Sequence, residues 1–142
     1  MLKMIPGIIS PELMKYMMEM GHSDVLVLAD ANFPAVSHAR RYLKLEGVEI
    51  TELLEVMLKY YPLDCYVNES AKLMKHLPDE PVPEIWKEYE TIIEKNSTTE
   101  EFKNFGMLER YQFYKEAEKA YVIVQTATTA HYANIMLQKG VI

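Results

Sequence analysis

The sequence predicts an α/β fold in which a largely parallel sheet lies between layers of helices. Val25 to Ala29 is an uninterrupted apolar run of strand length, which is typical of a strand covered on both faces. Similar short runs alternate along the chain with segments of helical periodicity, an arrangement that produces parallel strands joined by helices. The 142 residues are expected to form a single domain, residues 1–142, with enough chain to bury a core.

Helix signals surround this first strand. Ser10 and Pro11 suit the N-cap and the first helical position, and Gly21 supplies a C-terminal stop. The clearest helical period in the chain is an apolar stripe formed by Ile85, Trp86, Tyr89, Ile92 and Ile93. Between the first strand and this helix, the sequence predicts a loop over 31–41, one or two short strands over 42–50, a helix between Thr51 and Pro62, a strand over 63–67, a brief helix over 70–77 and a linker over 78–83. After it, a short helix starts at Thr98 and is stopped by Gly106, and an extended segment covers 107–109. The last predicted elements are a helix over 111–120 and strands over 121–126 and 134–138.

The composition excludes several classes of protein. The net charge of −6, with no run of Lys or Arg, argues against a nucleic-acid partner. No apolar stretch reaches membrane-span length and no signal peptide is visible, so we expect a protein without a membrane partner. The single Cys65 cannot form an internal disulfide, which favours a cytoplasmic location. The four histidines show no paired spacing for a metal, and no Gly-rich phosphate loop follows a strand, so neither metal nor cofactor is expected.

Polar residues at both ends of the first strand are the first candidates for a site. His22 precedes the strand and Asp30 closes it, and ligands of open α/β sheets bind beyond the carboxyl ends of strands. On position alone, such a histidine is more often a surface residue and an isolated Asp more often forms a turn. Arg110 can equally be an exposed charge, and residues 132–134 can be the turn into the last strand. The remaining histidines are assigned to surface or partly packed positions: His38, His76 and His131.

The order and spacing of several short motifs resemble the D-ribose pyranase / L-fucose mutarotase family along nearly the whole chain. Each motif is modest alone, but together they are specific. The matching segments are Leu2-Lys3 with Ile9-Ser10-Pro11-Glu12-Leu13, Glu19-Met20-Gly21-His22-Ser23-Asp24, Ala29-Asp30-Ala31-Asn32-Phe33-Pro34-Ala35, Pro62-Leu63-Asp64-Cys65-Tyr66-Val67, Glu109-Arg110-Tyr111-Gln112-Phe113-Tyr114, Tyr132-Ala133-Asn134 and Lys139-Gly140-Val141.

This resemblance implies a Rossmann-like three-layer α/β/α sandwich and cofactor-free interconversion of sugar ring forms or anomers. It also implies a homo-oligomer, in bacterial members often a decamer of two pentameric rings, with sites near subunit boundaries. On the family pattern His22 is the proton donor. The residues that bind the sugar on that pattern are Asp30, Arg110, Tyr132, Ala133 and Asn134.

These residue types suit mutarotation. The reaction removes a proton from the anomeric hydroxyl and delivers one to the ring oxygen, so that the hemiacetal opens, rotates and closes again. An imidazole can give and take such protons near neutral pH, an effect worth about 10²–10⁴-fold in rate. Asp30 can accept from sugar hydroxyls or orient His22, and Arg110 can donate to them. Asn134 can do both, Tyr132 offers a hydroxyl, and the small Ala133 lets the backbone approach the sugar.

The fucose branch of the family is the better match. Arg110 stands where ribose pyranases typically carry His, and residues 62–67 also resemble the fucose branch, whereas Ala133 follows the pyranase pattern. Ser23 replaces a usual Gly, and Thr126-Ala127-Thr128 departs from the common Thr-Gly-Glu. We therefore expect L-fucose mutarotation. The alternatives are D-ribose pyranase activity and a non-catalytic sugar-binding accessory of uptake.

Overall fold

The computed structural model describes residues 2–142 and contains one six-stranded sheet flanked by helices. In chain order the elements are α1 (Pro11–Glu19), β1 (Val25–Ala29), α2 (Ala35–His38), β2 (Tyr42–Lys44), α3 (Ile50–Met57), β3 (Ala71–Met74), α4 (Glu84–Asn96), β4 (Phe105–Leu108), α5 (Arg110–Ala117), β5 (Val122–Gln125) and β6 (Ile135–Gln138). The strand order across the sheet is β2-β5-β1-β6-β3-β4.

Five of the strands run in one direction and β6 runs against them. The pairs β2–β5, β5–β1 and β3–β4 are parallel, whereas β6 is antiparallel to both β1 and β3. The predicted largely parallel sheet is therefore confirmed. Because β6 is reversed, its first residues lie at the sheet edge where the parallel strands end, an edge called here the carboxyl edge.

Two apolar clusters cover the two faces of the sheet. On one face Leu26 and Leu28 of β1 pack with residues of α1, α3 and α4. On the other face Val27 and Ala29 pack with Phe113 of α5 and with residues around α2. The alternation of these β1 residues between clusters follows from the two-residue period of a strand. The sheet is thus the middle of three layers, and the predicted α/β/α sandwich is confirmed.

The first and longest helices follow their sequence signals. Ser10 is the N-cap of α1 and its Oγ accepts a hydrogen bond from the amide of Leu13 at 3.1 Å. In α4 the predicted stripe faces the core, since Trp86, Tyr89 and Ile93 are buried. Gly21 lies directly after the C-cap residue Met20, where the stop was predicted, but without the positive φ by which a glycine usually ends a helix.

The segment between α3 and α4 differs from the prediction. Residues 70–77 were expected to form a helix, but Ala71–Met74 is strand β3, whose residues are mostly buried between β6 and β4. Residues 63–67 were expected to form a strand and contribute only one bridge, from Leu63 to Lys139. A segment as short as Ala71–Met74, with Lys72 inside it, has no decisive period, and the strands that pair with it come from distant parts of the chain.

Smaller differences concern loops and the bounds of elements. Thr98 and Glu101 form a capping box, with the Thr98 amide bonded to Glu101 Oε2 at 2.7 Å, yet it closes a turn and not the predicted short helix. Gly106 lies within β4, where a Cβ atom would stand 2.5 Å from Glu69 Oε2. The loop over 31–41 contains the short helix α2, and α3 starts at Ile50, ahead of the expected cap. None of the helices within residues 2–142 has both the length and the apolar character that crossing a bilayer requires.

Candidate functional site

A pocket of about 540 Å³ lies at the carboxyl edge of the sheet. It is bounded by the loops that follow β1, β3 and β4 and by the loop that leads into β6. Four of the predicted sugar-binding residues line it together: Asp30, Arg110, Tyr132 and Asn134. The volume falls within the range of small-molecule sites.

Asp30 and Asn134 are joined by two hydrogen bonds. The Asp30 amide donates to Asn134 Oδ1 at 2.8 Å, and Asn134 Nδ2 donates to Asp30 Oδ2 at 2.7 Å. The register of the sheet explains this proximity, because Leu28 lies opposite Ile135. One step further Ala29 faces Asn134, and Asp30 is the next residue after Ala29. Asp30 Oδ1 also accepts from the Asn32 amide at 2.8 Å. The carboxylate consequently has a fixed orientation at the pocket wall.

The segment 132–134 is held from behind by α4. Trp86 Nε1 donates to the carbonyl of Tyr132 at 2.8 Å, and the Tyr89 hydroxyl donates to the carbonyl of Ala133 at 2.7 Å. Burial raises the pKa of the Tyr89 hydroxyl far above its ordinary value, so the hydroxyl stays a donor. Tyr132 has φ of 55°, in the left-handed region that non-glycine residues seldom adopt. These two hydrogen bonds stabilise that conformation.

Tyr132 and Ala133 have different positions relative to the pocket. The Tyr132 hydroxyl donates to Glu80 Oε2, and this hydrogen bond raises the pKa of Tyr132. Ala133 is fully buried, and its methyl group packs in the core. Ala133 therefore supports the pocket through its backbone, whereas Tyr132 lines it directly.

Arg110 is the first residue of α5 and reaches the pocket from the end of β4. Its Nε donates to the Tyr114 hydroxyl at 3.1 Å, and its guanidinium carbon lies 5.6 Å from the centre of the Tyr114 ring. The hydrogen bond with Tyr114 raises the pKa of Arg110 further, so the side chain is a permanent cation. Tyr114 in turn packs edge-on against Phe33, with ring centres 5.4 Å apart. Among residues 2–142 the two Nη groups make no hydrogen bond, and both remain available as donors.

His22 lies at the opposite edge of the sheet. It precedes β1, and β1 alone spans about 16 Å at the usual rise per residue. Its Nε2 donates to Asp64 Oδ2 at 3.1 Å, and its ring is 5.7 Å from that of Tyr66. A single chain therefore does not bring His22 to the pocket that contains Asp30.

Asp64 is almost completely buried, at 1% exposed, and fixes the His22 ring. Gln138 Nε2 donates to the same oxygen at 2.9 Å, and the amide of Tyr66 donates to Oδ1 at 3.0 Å. Burial alone raises the pKa of Asp64, but the hydrogen bonds from Tyr66, His22 and Gln138 outweigh it and lower that pKa below its usual value. Asp64 is thus a carboxylate, and the His22 nitrogen that faces it carries a proton.

Ser23, next to His22, has φ of 69°. Glycine adopts this left-handed conformation without steric cost, which explains why glycine is the usual residue at this position in the family pattern. The amide of Ser23 donates to the carbonyl of Lys139 at 2.9 Å, so the strained turn is fixed to the residue that directly follows β6.

Several site residues could not be found from the sequence. Trp86 and Tyr89 were assigned to an apolar helix face, and a hydrophobic period contains no information about their polar atoms. The sequence predicts a surface or partly packed position for His76, and no motif indicates that it lines the pocket. Asp64 belongs to a motif that matches the family, but the sequence does not show that this carboxylate is buried among polar groups. Within residues 2–142 no group of three or more His, Cys, Asp or Glu side chains is arranged to hold a metal ion.

The fold and the pocket define an α/β protein with a polar small-molecule site at the carboxyl edge of a sheet. A sequence model described as the RbsD / FucU transport protein family matches residues 3–142, and the chain belongs to that family. The predicted resemblance is confirmed.

Similar proteins are known both as sequences and as structures. The chain is 38% identical to fucose mutarotase of Homo sapiens, over 99% of this chain and 94% of the relative. It is 39% identical to L-fucose mutarotase of Haemophilus influenzae, over 99% and 97%. A crystal structure of the fucose mutarotase from Streptococcus pneumoniae in complex with L-fucose is 44% identical, with a TM-score of 0.93 and 99% of each chain covered. Bacillus subtilis RbsD complexed with D-ribose shares the fold, at 21% identity and a TM-score of 0.75 over 100% of this chain and 99% of RbsD.

Proposed function

We propose that this protein is an L-fucose mutarotase, an isomerase that interconverts the α and β anomers of the sugar. The observation that carries this proposal is the rigid polar wall made by Asp30, Asn134 and Arg110 in one pocket. The 44% identity to a fucose mutarotase that was crystallised with L-fucose supports the choice of sugar.

The binding groups complement a monosaccharide. Asp30 and Asn134 already satisfy each other in part, and their remaining lone pairs can accept from sugar hydroxyls. Arg110 supplies two free Nη donors, and Tyr132 contributes an oxygen and an aromatic edge. Because these groups are held before the sugar arrives, little conformational freedom is lost on binding. Ala133 contributes through its backbone, because the hydrogen bond from Tyr89 to its carbonyl fixes the conformation of residues 132–134.

His22 is the acid and base of the reaction. With Nε2–H held by Asp64, a neutral ring presents Nδ1 as its basic nitrogen. Nδ1 accepts the proton of the anomeric hydroxyl as the bond between the anomeric carbon and the ring oxygen breaks, and the imidazolium so formed delivers this proton to the ring oxygen. The open aldehyde rotates about its first carbon–carbon bond, and reversal of the proton transfers closes the other anomer. Asp64 stabilises the imidazolium that forms in between.

A second copy of this chain supplies the histidine. His22 lies at the edge of the sheet opposite to Asp30, so within one chain it cannot reach a sugar in the pocket. In an oligomer with head-to-tail contacts, His22 of one copy faces the pocket of the next. A homo-oligomer, with the decamer implied by the family pattern, satisfies this requirement. We place the enzyme in the cytoplasm, whose reducing conditions suit the unpaired Cys65.

The direct test is the exchange of L-fucose anomers by NMR. Catalytic amounts of the protein should broaden the two anomeric proton signals or transfer magnetisation between them. The exchange rate should be well above the rate in buffer. A folded protein that leaves the exchange rate unchanged would contradict the proposal. If it nevertheless binds fucose, the non-catalytic accessory role is the correct one.

The same measurement with D-ribose separates the two branches of the family. We expect weaker acceleration of ribose pyranose–furanose exchange than of fucose exchange. Arg110→His, which introduces the residue typical of the pyranase branch, should reduce fucose exchange. An Arg110→His variant with unchanged fucose exchange would show that Arg110 does not determine the preference for fucose.

A further inference from the structure

His76 is a histidine in the pocket to which the mechanism above gives no role. It follows β3 and lines the same cavity as Asp30 and Arg110. Its ring is half-buried, 5.5 Å from the ring of Trp86 and 6.3 Å from that of Tyr132. The ring therefore has a defined place beside the segment that binds the sugar.

The contact with the backbone determines which nitrogen carries the proton. His76 Nδ1 lies 2.7 Å from the carbonyl oxygen of Leu77. A carbonyl oxygen only accepts, so Nδ1 must be the donor, and a neutral ring then has a lone pair on Nε2. Within residues 2–142, Nε2 makes no hydrogen bond to protein. Nε2, at the tip of the side chain, is therefore a free acceptor beside the cavity.

Of the proposed sugar-binding side chains, Asp30 and Asn134 keep only part of their accepting capacity, and the others are donors or already bonded. Asp30 and Asn134 bond to each other, and the Tyr132 hydroxyl donates to Glu80. Arg110 offers only donors. A sugar hydroxyl that accepts from a guanidinium still has a proton to place, and an unpaired donor in a partly enclosed site costs affinity. His76 Nε2 supplies an uncommitted acceptor for such a proton.

We propose that His76 Nε2 accepts a hydrogen bond from a hydroxyl group of the bound monosaccharide and so contributes to affinity for the sugar. The proposal rests on the proposed function in that it takes the occupant of the pocket to be a monosaccharide. It assigns no proton transfer to His76, because the bond serves binding and not the reacting atoms.

Two substitutions separate the proposed acceptor role of Nε2 from the hydrogen bond by which Nδ1 anchors the loop at Leu77. In His76→Asn the side-chain amide stands near the position of Nδ1 and keeps the donor to Leu77, but nothing remains near Nε2. In His76→Gln the amide reaches the position of Nε2 and restores an acceptor, while the donor to Leu77 is lost. Dissociation constants for L-fucose are measured by calorimetry, and unfolding temperatures are measured on the same samples.

We expect His76→Asn to raise the dissociation constant about 3- to 10-fold, the effect of one neutral hydrogen bond, while His76→Gln stays within about 2-fold of the wild type. If both bind like the wild type, or if both lose affinity together with unfolding temperature, the proposal is wrong. Binding is measured directly, so a wild type that binds fucose without catalysing exchange overturns the mutarotase function and leaves this test intact.

Discussion

His22 and Asp64 form the pair on which the proposed chemistry depends most. Asp64→Asn keeps the shape of the side chain, but an amide that faces Gln138 and Tyr66 has a different pattern of donors and acceptors. If its amino group turns to His22, Nε2 must accept a hydrogen bond and the ring proton moves to Nδ1. Nδ1 then has no free lone pair with which to act as a base. We expect the exchange rate to fall by about 10²-fold or more, as is found when an orienting carboxylate becomes an amide. The measurement is NMR exchange of fucose, with Glu12→Gln on the exposed face of α1 as a control that should not change the rate.

The lowered pKa of Asp64 also predicts how stability depends on pH. Its folded-state pKa is below the unfolded value of about 3.9, so its contribution is fully present above that value and is lost as pH falls through the folded pKa. The free energy of unfolding of the wild type should therefore decrease below about pH 4 more steeply than that of Asp64→Asn. Urea titrations between pH 3 and pH 7 give both curves, at about unit intervals. Parallel curves would show that Asp64 is not a stabilising carboxylate.

A substitution at Ser23 is expected to raise the free energy of unfolding. Its φ of 69° is a conformation that costs an L-residue about 1–2 kcal/mol and a glycine nothing, while glycine loses more entropy on folding. We expect Ser23→Gly to raise the free energy of unfolding by up to about 1 kcal/mol, which corresponds to about 2–4 °C in a chain of this size. Differential scanning calorimetry measures this shift. A lower melting temperature would show that the Ser23 side chain stabilises the turn in a way that outweighs its strain.

At the scale of elements, α4 does more than cover the sheet. Its apolar stripe was predicted from the period of the sequence, and that stripe is buried as expected. The donors on Trp86 and Tyr89 could not be predicted, because their partners are carbonyls more than forty residues away in the chain. The helix therefore links the core to the backbone conformation of residues 132–134, the proposed sugar-binding segment. A hydrophobic period predicts which face is buried but not which buried atoms are polar.

Tyr89→Phe tests this link. The substitution leaves the carbonyl of Ala133 without its donor in a buried position, which costs about 1–3 kcal/mol of unfolding free energy. The affinity for fucose should also fall, because residues 132–134 lose one of their two anchors. Urea denaturation and calorimetry measure the two effects. Tyr121→Phe is the matched control, since its hydroxyl bonds Glu19 at the surface and its loss should cost less than about 0.5 kcal/mol. Equal effects in the two variants would contradict the role of α4.

At the scale of the whole molecule, the alternation of strands and helices was sufficient to predict three layers and a largely parallel sheet. The sequence could not predict that β6 is inserted antiparallel between β1 and β3, because strand order depends on contacts between distant segments. That insertion places Asn134 beside Asp30. The two polar candidates at the ends of β1 do not meet within one chain, because Asp30 lies at the carboxyl edge and His22 at the opposite edge. Sequence motifs predicted these residues as one set, but they do not specify how many chains contribute to one site.

The most direct test of this account mixes two defective chains. His22→Ala removes the acid and base, and Arg110→Ala weakens the pocket, so each variant alone should be nearly inactive when exchange is measured below the half-saturating fucose concentration. When the two are co-expressed, chains that associate at random combine an intact His22 with an intact pocket at about one quarter of the sites. The account predicts recovery of about one quarter of wild-type fucose exchange in the mixed oligomer. A mixed oligomer as inactive as its parents, or a His22→Ala protein as active as the wild type, would contradict it.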